Sequence, residues 1–134
     1  MQQIISLLDN CASAEYYHEF FKERGTKDFL FIRPSGNPID ALGFEKMTLC
    51  GDVIDNYSEI IDIQKLEFFS NVNAMCVFTM REHFEYKGIN NDDLAIYTLI
   101  LKKKNNKWMF SFIHRSSGDV DLSLWRRFST FSVD

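Results

Sequence analysis

The fold prediction starts from residues 107–118, which read KWMFSFIHRSSG. Alternate residues of a strand point to opposite sides, so this segment has two faces. One face carries Trp108, Phe110, Phe112 and His114, and the other carries Met109, Ser111, Ile113 and Arg115. Both faces are rich in apolar side chains, whereas an antiparallel strand with one wet face needs them on one side only. We therefore expect both faces of this strand to be covered.

Three more segments with a period of two precede this one along the chain. The four segments are Val53–Ser70, Asn73–Lys87, Leu94–Lys104 and Lys107–Ser116. The connections between them are Asn71, Gly88–Asp93 and Asn105-Asn106, which are suited to hairpins. Long consecutive strands of this kind predict a strongly bent antiparallel meander. Helices can cover one face of such a sheet, and a second copy of the chain is the simplest cover for the other.

Helical periodicity precedes the strands. Ile4, Leu7, Leu8, Cys11 and Ala12 predict a first helix. Ser13 is a candidate N-cap for a second helix ending near Gly25, and one bent helix is the alternative. Residues 28–33 predict a buried strand, residues 35–38 a turn, and Asp40 the cap of a short helix that runs to about Thr48.

Length and composition indicate one globular domain. The chain has 134 residues and a mass of 15.8 kDa, with 46% hydrophobic and 15% aromatic residues. We assign residues 1–134 to a single domain, with a core at 1–118 and a tail at 119–134 that packs on the domain or on a partner. The formal net charge of −4 argues against a nucleic-acid partner, because a basic surface is needed to displace counterions from phosphates.

The cysteines predict neither a metal site nor a disulfide framework. Cys11, Cys50 and Cys76 are odd in number and widely spaced, without a CxxC motif. We expect reduced thiols in a cytoplasmic protein with no metal and no cofactor. The N-terminus has no basic segment followed by a long apolar run, and no stretch is long enough to span a membrane, so we expect no membrane association.

The order of elements resembles that of the nuclear transport factor 2-like superfamily, with helices first, then a strand, a short helix and four long curved strands. The closing segment 107–118 resembles the last strand of the SnoaL-like branch, which often has a Trp, alternating apolar residues, then His and Ser. The resemblance implies an α+β cone in which N-terminal helices pack on a strongly curved antiparallel sheet. It implies a homodimer formed through the sheet, with a pocket between helices and sheet.

Several functions are compatible with this resemblance. Superfamily members include isomerases, cyclases, dehydratases, hydrolases and non-enzymatic binders, so the fold alone does not choose among them. We expect a protein that binds a small apolar ligand with one polar end. It either only binds this ligand or acts on it as a cofactor-free acid–base enzyme. The alternative is an oligomerisation or interaction module, as in the association domain of calcium/calmodulin-dependent kinase II, with the cone filled by aromatic side chains.

A third interpretation is an activity of the iota-class carbonic anhydrase type. His114-Arg115-Ser116-Ser117 resembles the end of a strand in that class, which carries several His residues followed by Ser-Ser. The chain departs from that class because it lacks the early Phe-Tyr-Phe segment and has Phe31–Pro38 after the first helices instead.

The candidate site residues follow from the predicted strand faces. His114 is the candidate general base, because a histidine exchanges protons near neutral pH, and Ser116 shares its face. The alternative role for His114 is a structural hydrogen bond. Arg33, at the end of an apolar strand, is suited to pair with a substrate anion or to fix the turn after Pro34.

Asp62 and two tyrosines complete the candidate set. Asp62 follows Ile60 and Ile61; a carboxylate that points inward among such residues is suited to proton transfer, and one that points outward is merely solvated. Tyr57 and Tyr97 are candidate substrate-binding residues on strands of the predicted sheet.

Overall fold

The secondary structure follows the predicted order. The computed structural model describes residues 1–125, apart from the side chains at positions 55 and 56. The elements are α1 (Gln2–Ala12), α2 (Tyr17–Arg24), β1 (Gly25–Ile32), β2 (Pro38–Ile39), α3 (Ala41–Leu49), β3 (Val53–Phe68), β4 (Asn73–Tyr86), β5 (Ile89–Lys104) and β6 (Lys107–Arg115), followed by a 3-10 turn at Leu122–Trp125. The part of the predicted tail at 126–134 lies outside the described residues.

The strands form one curved mixed sheet. Their order across the sheet is β2-β1-β6-β5-β4-β3. Strands β3 to β6 pair as an antiparallel meander, as the sequence predicts, and β1 adds to β6 in parallel. The short β2 strand, which the sequence analysis did not predict, pairs with β1. Three helices pack on this strongly curled sheet, so the predicted α+β cone is confirmed.

The N-terminal helices are two, and the boundary between them differs from the prediction. Ser13 is the C-cap of α1, where its hydroxyl donates to the carbonyl oxygen of Asp9 at 2.9 Å. It does not cap α2, which begins at Tyr17 without a side-chain cap. The predicted cap of α3 is confirmed, because Asp40 Oδ1 accepts from the amide of Gly43 at 2.8 Å.

The β4–β5 connection is shorter than predicted. Strand β5 already begins at Ile89, so the turn consists of Lys87 and Gly88 alone. Both residues have positive φ angles, 48° and 82°, as a tight two-residue hairpin turn requires. The polar residues 90–93, which suggested a loop, are paired with β4 instead.

A β-bulge in β6 decides which side chains face the helices. Leu101 pairs with Phe110, but its neighbour Ile100 pairs with Phe112, so Ser111 is an extra residue on β6. The alternation of faces therefore reverses at Ser111. The predicted shared face of Trp108, Phe110, Phe112 and His114 is wrong beyond this point. Ile113 and Arg115 are buried on the helix side, whereas His114 is exposed on the outer side.

The core lies between the helices and the concave side of the sheet. Its most deeply buried large side chains include Ile4 and Leu8 from α1, Cys76 from β4, Leu99 and Leu101 from β5, and Phe110 from β6. On the outer side of the sheet, Val77, Thr98, Ile100 and Phe112 are only half-buried. The sheet thus has one fully covered face and an outer face on which these four side chains stay partly exposed, although Thr79 and Ile96 are buried there.

Replacing Leu99 by Ala tests this placement of the core. Leu99 is 0% exposed, so we expect the substitution to lower the free energy of unfolding by about 2–5 kcal/mol through lost burial and a new cavity. The matched control is Leu49→Ala, at a residue that is 76% exposed, which should change stability by less than about 0.5 kcal/mol. Urea denaturation measures both, and equal losses would contradict the assignment.

Candidate functional site

A cavity lies between the three helices and the concave side of the sheet. Its volume is about 320 Å³. Every layer of the fold contributes to its wall, which includes Leu8 from α1, Tyr17 from α2, Phe44 from α3, Met80 from β4, Tyr97 from β5 and Ile113 from β6. Aromatic and aliphatic side chains therefore form most of the surface, and this is the usual make-up of a site for a small organic molecule.

Three buried polar residues meet at this wall. The Tyr97 hydroxyl donates to Oε1 of Glu82, and Arg115 Nε donates to the same oxygen and to the Tyr97 oxygen, each at 3.1 Å. Tyr97, Glu82 and Arg115 are 4%, 7% and 9% exposed. All three line the cavity. We call Tyr97, Glu82 and Arg115, together with Asp93 behind them, the buried polar cluster.

Asp93 holds the far side of Arg115. Its Oδ2 accepts from Arg115 Nη2 at 2.7 Å, and Nη1 of the same guanidinium donates to the backbone oxygen of Ser116 at 3.2 Å. Every nitrogen of Arg115 thus has a protein partner. Such multiple charge-assisted bonds are needed to keep a guanidinium stable away from water.

Gly118 leaves the room that Asp93 occupies. The chain after β6 runs beside β5, and the carbonyl oxygen of Gly118 accepts from the amide of Leu94 at 3.1 Å. A Cβ at position 118 would lie 2.6 Å from both carboxylate oxygens of Asp93. Glycine is therefore required there if Asp93 is to keep its place against Arg115.

The environment of the buried polar cluster shifts the pKa values of Tyr97 and Arg115. Burial, and then the charge of Glu82, raise the pKa of Tyr97 well above its ordinary value. Because the raised pKa belongs to the folded state, the stabilising contribution of Tyr97 is complete below about pH 10 and is lost as the pH rises through the folded-state pKa. Burial alone would lower the pKa of Arg115, but Tyr97, Glu82 and Asp93 outweigh it and raise that pKa.

A second guanidinium, that of Arg33, lies on the cavity wall. Arg33 follows the last residue of β1 and lines the cavity with the adjacent Pro34 and Ser35. Its Nε donates to the backbone oxygen of Asn37 at 3.3 Å, across the turn between β1 and β2. Among residues 1–125, neither of its terminal nitrogens makes a hydrogen bond or an ion pair with a carboxylate.

The cavity contains two of the six residues that the sequence analysis named. Arg33 and Tyr97 line it. His114 is exposed on the outer side of β6, and the Ser116 hydroxyl bonds the backbone, donating to Ser117 and accepting from Ile96, each at 2.9 Å. Neither is part of the cavity wall, so the site roles of His114 and Ser116 stay predictions without a place in this cavity.

Asp62 and Tyr57 also lie away from the cavity. Asp62 is exposed, and its carboxylate accepts from the amide of the next residue, Ile63, at 2.9 Å. Tyr57 is exposed and donates to Oε2 of Glu59 at 2.7 Å. The exposed position of Asp62 matches the alternative in which its carboxylate points outward into solvent.

Glu82 and Arg115 are the charged cavity residues that the sequence analysis missed. Glu82 alternates with Phe78, Met80 and Phe84 along β4, so a carboxylate within an apolar face was the available signal. Arg115 had no such signal, because the bulge at Ser111 moves it to the inner face against simple alternation.

The described residues show neither a metal centre nor a membrane-spanning helix. Within residues 1–125, no group of three or more His, Cys, Asp or Glu side chains is placed to hold a metal ion. None of the helices in that range is long and apolar enough to cross a membrane.

Similarity to solved structures defines the class of protein. The chain is 47% identical to an NTF2-like protein of unknown function from Prochlorococcus, with a TM-score of 0.86, covering 92% of this chain and 97% of that one. A ketosteroid isomerase-like protein from Erwinia carotovora shares 14% identity and a TM-score of 0.67, with 89% and 93% covered. An NTF2-like protein of unknown function in nutrient uptake from Rhodospirillum rubrum shares 13% identity and a TM-score of 0.72, with 84% and 93% covered.

The curved sheet, the helices and these similarities define an NTF2-like protein, so the predicted resemblance to the nuclear transport factor 2-like superfamily is confirmed. Within that class, the family model described as protein of unknown function (DUF3804) matches residues 1–126, and the chain belongs to this family. No functionally curated protein matches the chain.

Replacing Arg115 by Met tests whether the buried polar cluster is a structural unit. The change leaves the buried Glu82 and the partly buried Asp93 without their cation, so we expect the free energy of unfolding to fall by about 3–5 kcal/mol. Arg81→Met is the matched control, because the Arg81–Asp92 pair is exposed and should contribute about 0–1 kcal/mol. Similar losses in both variants, measured by chemical denaturation, would contradict the cluster's role.

Proposed function

We propose that this protein binds a small, largely apolar molecule with a polar end in the cavity between helices and sheet. The observation that carries the proposal is the combination of an apolar cavity of about 320 Å³ with a buried polar cluster on its wall. Ligand sites in proteins typically pair an apolar lining with a few fixed polar groups that set orientation. The fold neighbour described as ketosteroid isomerase-like is compatible with this proposal.

The cavity also distinguishes this proposal from the interaction-module alternative. That alternative requires aromatic side chains to fill the cone. Phe21, Phe44, Phe78 and Phe110 line the cavity of the described structure but leave it open. Rings that line a space and do not fill it support binding of a small molecule.

An acid–base enzyme is the second candidate function, and one contact favours it. Oε1 of Glu82 accepts from the Tyr97 hydroxyl and from Arg115 Nε, while Oε2 of Glu82 bonds no described residue. A carboxylate oxygen at a cavity wall, next to a tyrosine hydroxyl, is suited to take a proton from a bound molecule. In this version Glu82, and not His114, is the base, and Tyr97 and Arg115 hold it in place.

A tryptophan that fills the cavity tests the binding proposal. Val53 lines the cavity at the start of β3, and Ile54, the next residue, is 48% exposed and outside the cavity wall. We expect Val53→Trp to weaken binding of the apolar fluorophore N-phenyl-1-naphthylamine at least tenfold, because the indole occupies the ligand's space. Ile54→Trp, the matched control, should bind like wild type in a fluorescence titration.

Equal affinity in the two variants would place the fluorophore elsewhere and contradict the proposal. Binding of several fluorophores per chain would do the same, since a cavity of this size holds one molecule.

We also propose that the protein is a homodimer formed through the outer side of the sheet. Val77, Ile100 and Phe112 lie there half-buried, in neighbouring strands and without cover from the described helices. A self-complementary apolar sheet face is suited to a two-fold symmetric interface. A cytoplasmic location is proposed with it, because Cys11, Cys50 and Cys76 are all free thiols, which is typical of a reducing compartment.

A charge at the centre of this face tests the dimer. We expect wild-type protein to have twice the mass of the chain in light scattering, and Phe112→Glu to be monomeric because the interface would bury an unpaired carboxylate. Leu49→Glu, on the exposed end of α3, should remain dimeric. A monomeric wild-type protein, or a dimer unaffected by Phe112→Glu, would contradict the assignment.

A further inference from the structure

The two guanidinium groups at the cavity differ in how many of their nitrogens already bond described residues. Arg115 already uses all its nitrogens on Glu82, Tyr97, Asp93 and the backbone of Ser116. Arg33 bonds only the carbonyl oxygen of Asn37 through Nε, and its two terminal nitrogens bond no described residue. The fork formed by these nitrogens matches the geometry of a carboxylate, which accepts two parallel hydrogen bonds. Arg33 is therefore the cavity's available anion-binding group.

The buried polar cluster has the opposite character. It combines the carboxylates of Glu82 and Asp93 with the single cation of Arg115, so its formal charge is −1. An anionic ligand group is disfavoured there, because it would add a third negative charge in a site shielded from water. The cluster instead offers Oε2 of Glu82 as a hydrogen-bond acceptor. A ligand hydroxyl is the neutral group that this acceptor fits.

The rest of the cavity wall adds no further charge. Among the described lining residues, Arg33, Glu82 and Arg115 alone carry a formal charge, and most of the others are apolar or aromatic. A ligand body in contact with these residues has to be apolar to recover the free energy of desolvation. The two polar groups of the ligand are thus distinguished by charge, and the rest of it is apolar.

We infer that the ligand is an apolar carboxylic acid that also carries a hydroxyl group, its carboxylate held by Arg33 and its hydroxyl by Glu82. This inference rests on the proposed function, and it adds the substrate class and the orientation. It also gives Arg33 a role separate from the turn after β1, since the turn uses Nε and the ligand uses the two terminal nitrogens.

Three probes of one shape test the inference by isothermal titration calorimetry. They are 3-(4-hydroxyphenyl)propanoate, the neutral 3-(4-hydroxyphenyl)propanamide and 3-phenylpropanoate, which lacks the hydroxyl. We expect wild-type protein to bind the hydroxy acid about tenfold to a hundredfold more tightly than either analogue, as loss of one hydrogen bond to a charged group predicts. Equal affinities for the acid and the amide, or no binding of any probe, would overturn the inference.

Variants assign each end of the probe to its residue. In Arg33→Met, the acid and the amide should bind alike, and Arg33→Lys should recover part of the preference for the acid as a positive charge without the planar fork. In Glu82→Gln, the advantage of the hydroxyl should shrink while the preference for the carboxylate persists. If Arg33→Met keeps the full preference for the acid, the carboxylate binds elsewhere and the orientation is wrong.

The Val53→Trp variant separates failure of the inference from failure of the proposed function. If the acid and the amide bind wild type equally and Val53→Trp weakens both, the cavity binds ligands but their class is wrong. If Val53→Trp binds the hydroxy acid as wild type does, the cavity is not the site, and the proposed function fails together with the inference.

Discussion

The buried guanidinium of Arg115 is the constraint on which the rest of the cavity depends. Removing a guanidinium from water costs several kcal/mol unless carboxylates and hydrogen bonds offset it. Glu82 and Asp93 supply the carboxylates from two neighbouring strands, and the oxygen of the Tyr97 hydroxyl accepts a further hydrogen bond from the same guanidinium. Since these residues come from β4, β5 and β6, the ion pairs tie three strands together. They also fix one polar patch on a wall that is otherwise built from apolar side chains.

Two local backbone features make this arrangement possible. The bulge at Ser111 reverses the alternation of β6, so that Arg115 points toward the helices and His114 toward the outside. Gly118, three residues beyond Arg115, leaves space for the carboxylate of Asp93. The extra residue Ser111 and the absence of a side chain at Gly118 therefore determine that Arg115 is the charged group of β6 that reaches the cavity. The same reversal leaves Phe112 on the outer face, where it contributes to the apolar surface between neighbouring strands.

The sequence predicts the architecture better than the site for a physical reason. Helix and strand periodicities extend over many residues, and the cap at Asp40 is a local contact, so both survive small irregularities. A site residue depends on the orientation of a single side chain, and one bulge inverts it, as happened to His114. Tyr97 lies before the irregularity between β5 and β6, and Arg33 was found from its place directly after an apolar strand. Glu82 was detectable as a carboxylate on an apolar face, whereas Arg115 needed the register of β5 against β6.

A double-mutant cycle between Glu82 and Arg115 tests the central claim most directly. The cycle compares the free energies of unfolding of wild type, Glu82→Leu, Arg115→Met and the double variant. Glu82→Leu removes one of the two carboxylates that pair with Arg115, and Arg115→Met leaves both carboxylates without their cation. The account therefore predicts that the double variant is more stable than the sum of the two losses implies, by about 1–3 kcal/mol. Additivity within about 0.5 kcal/mol would show that the two side chains do not depend on each other, and would contradict the account.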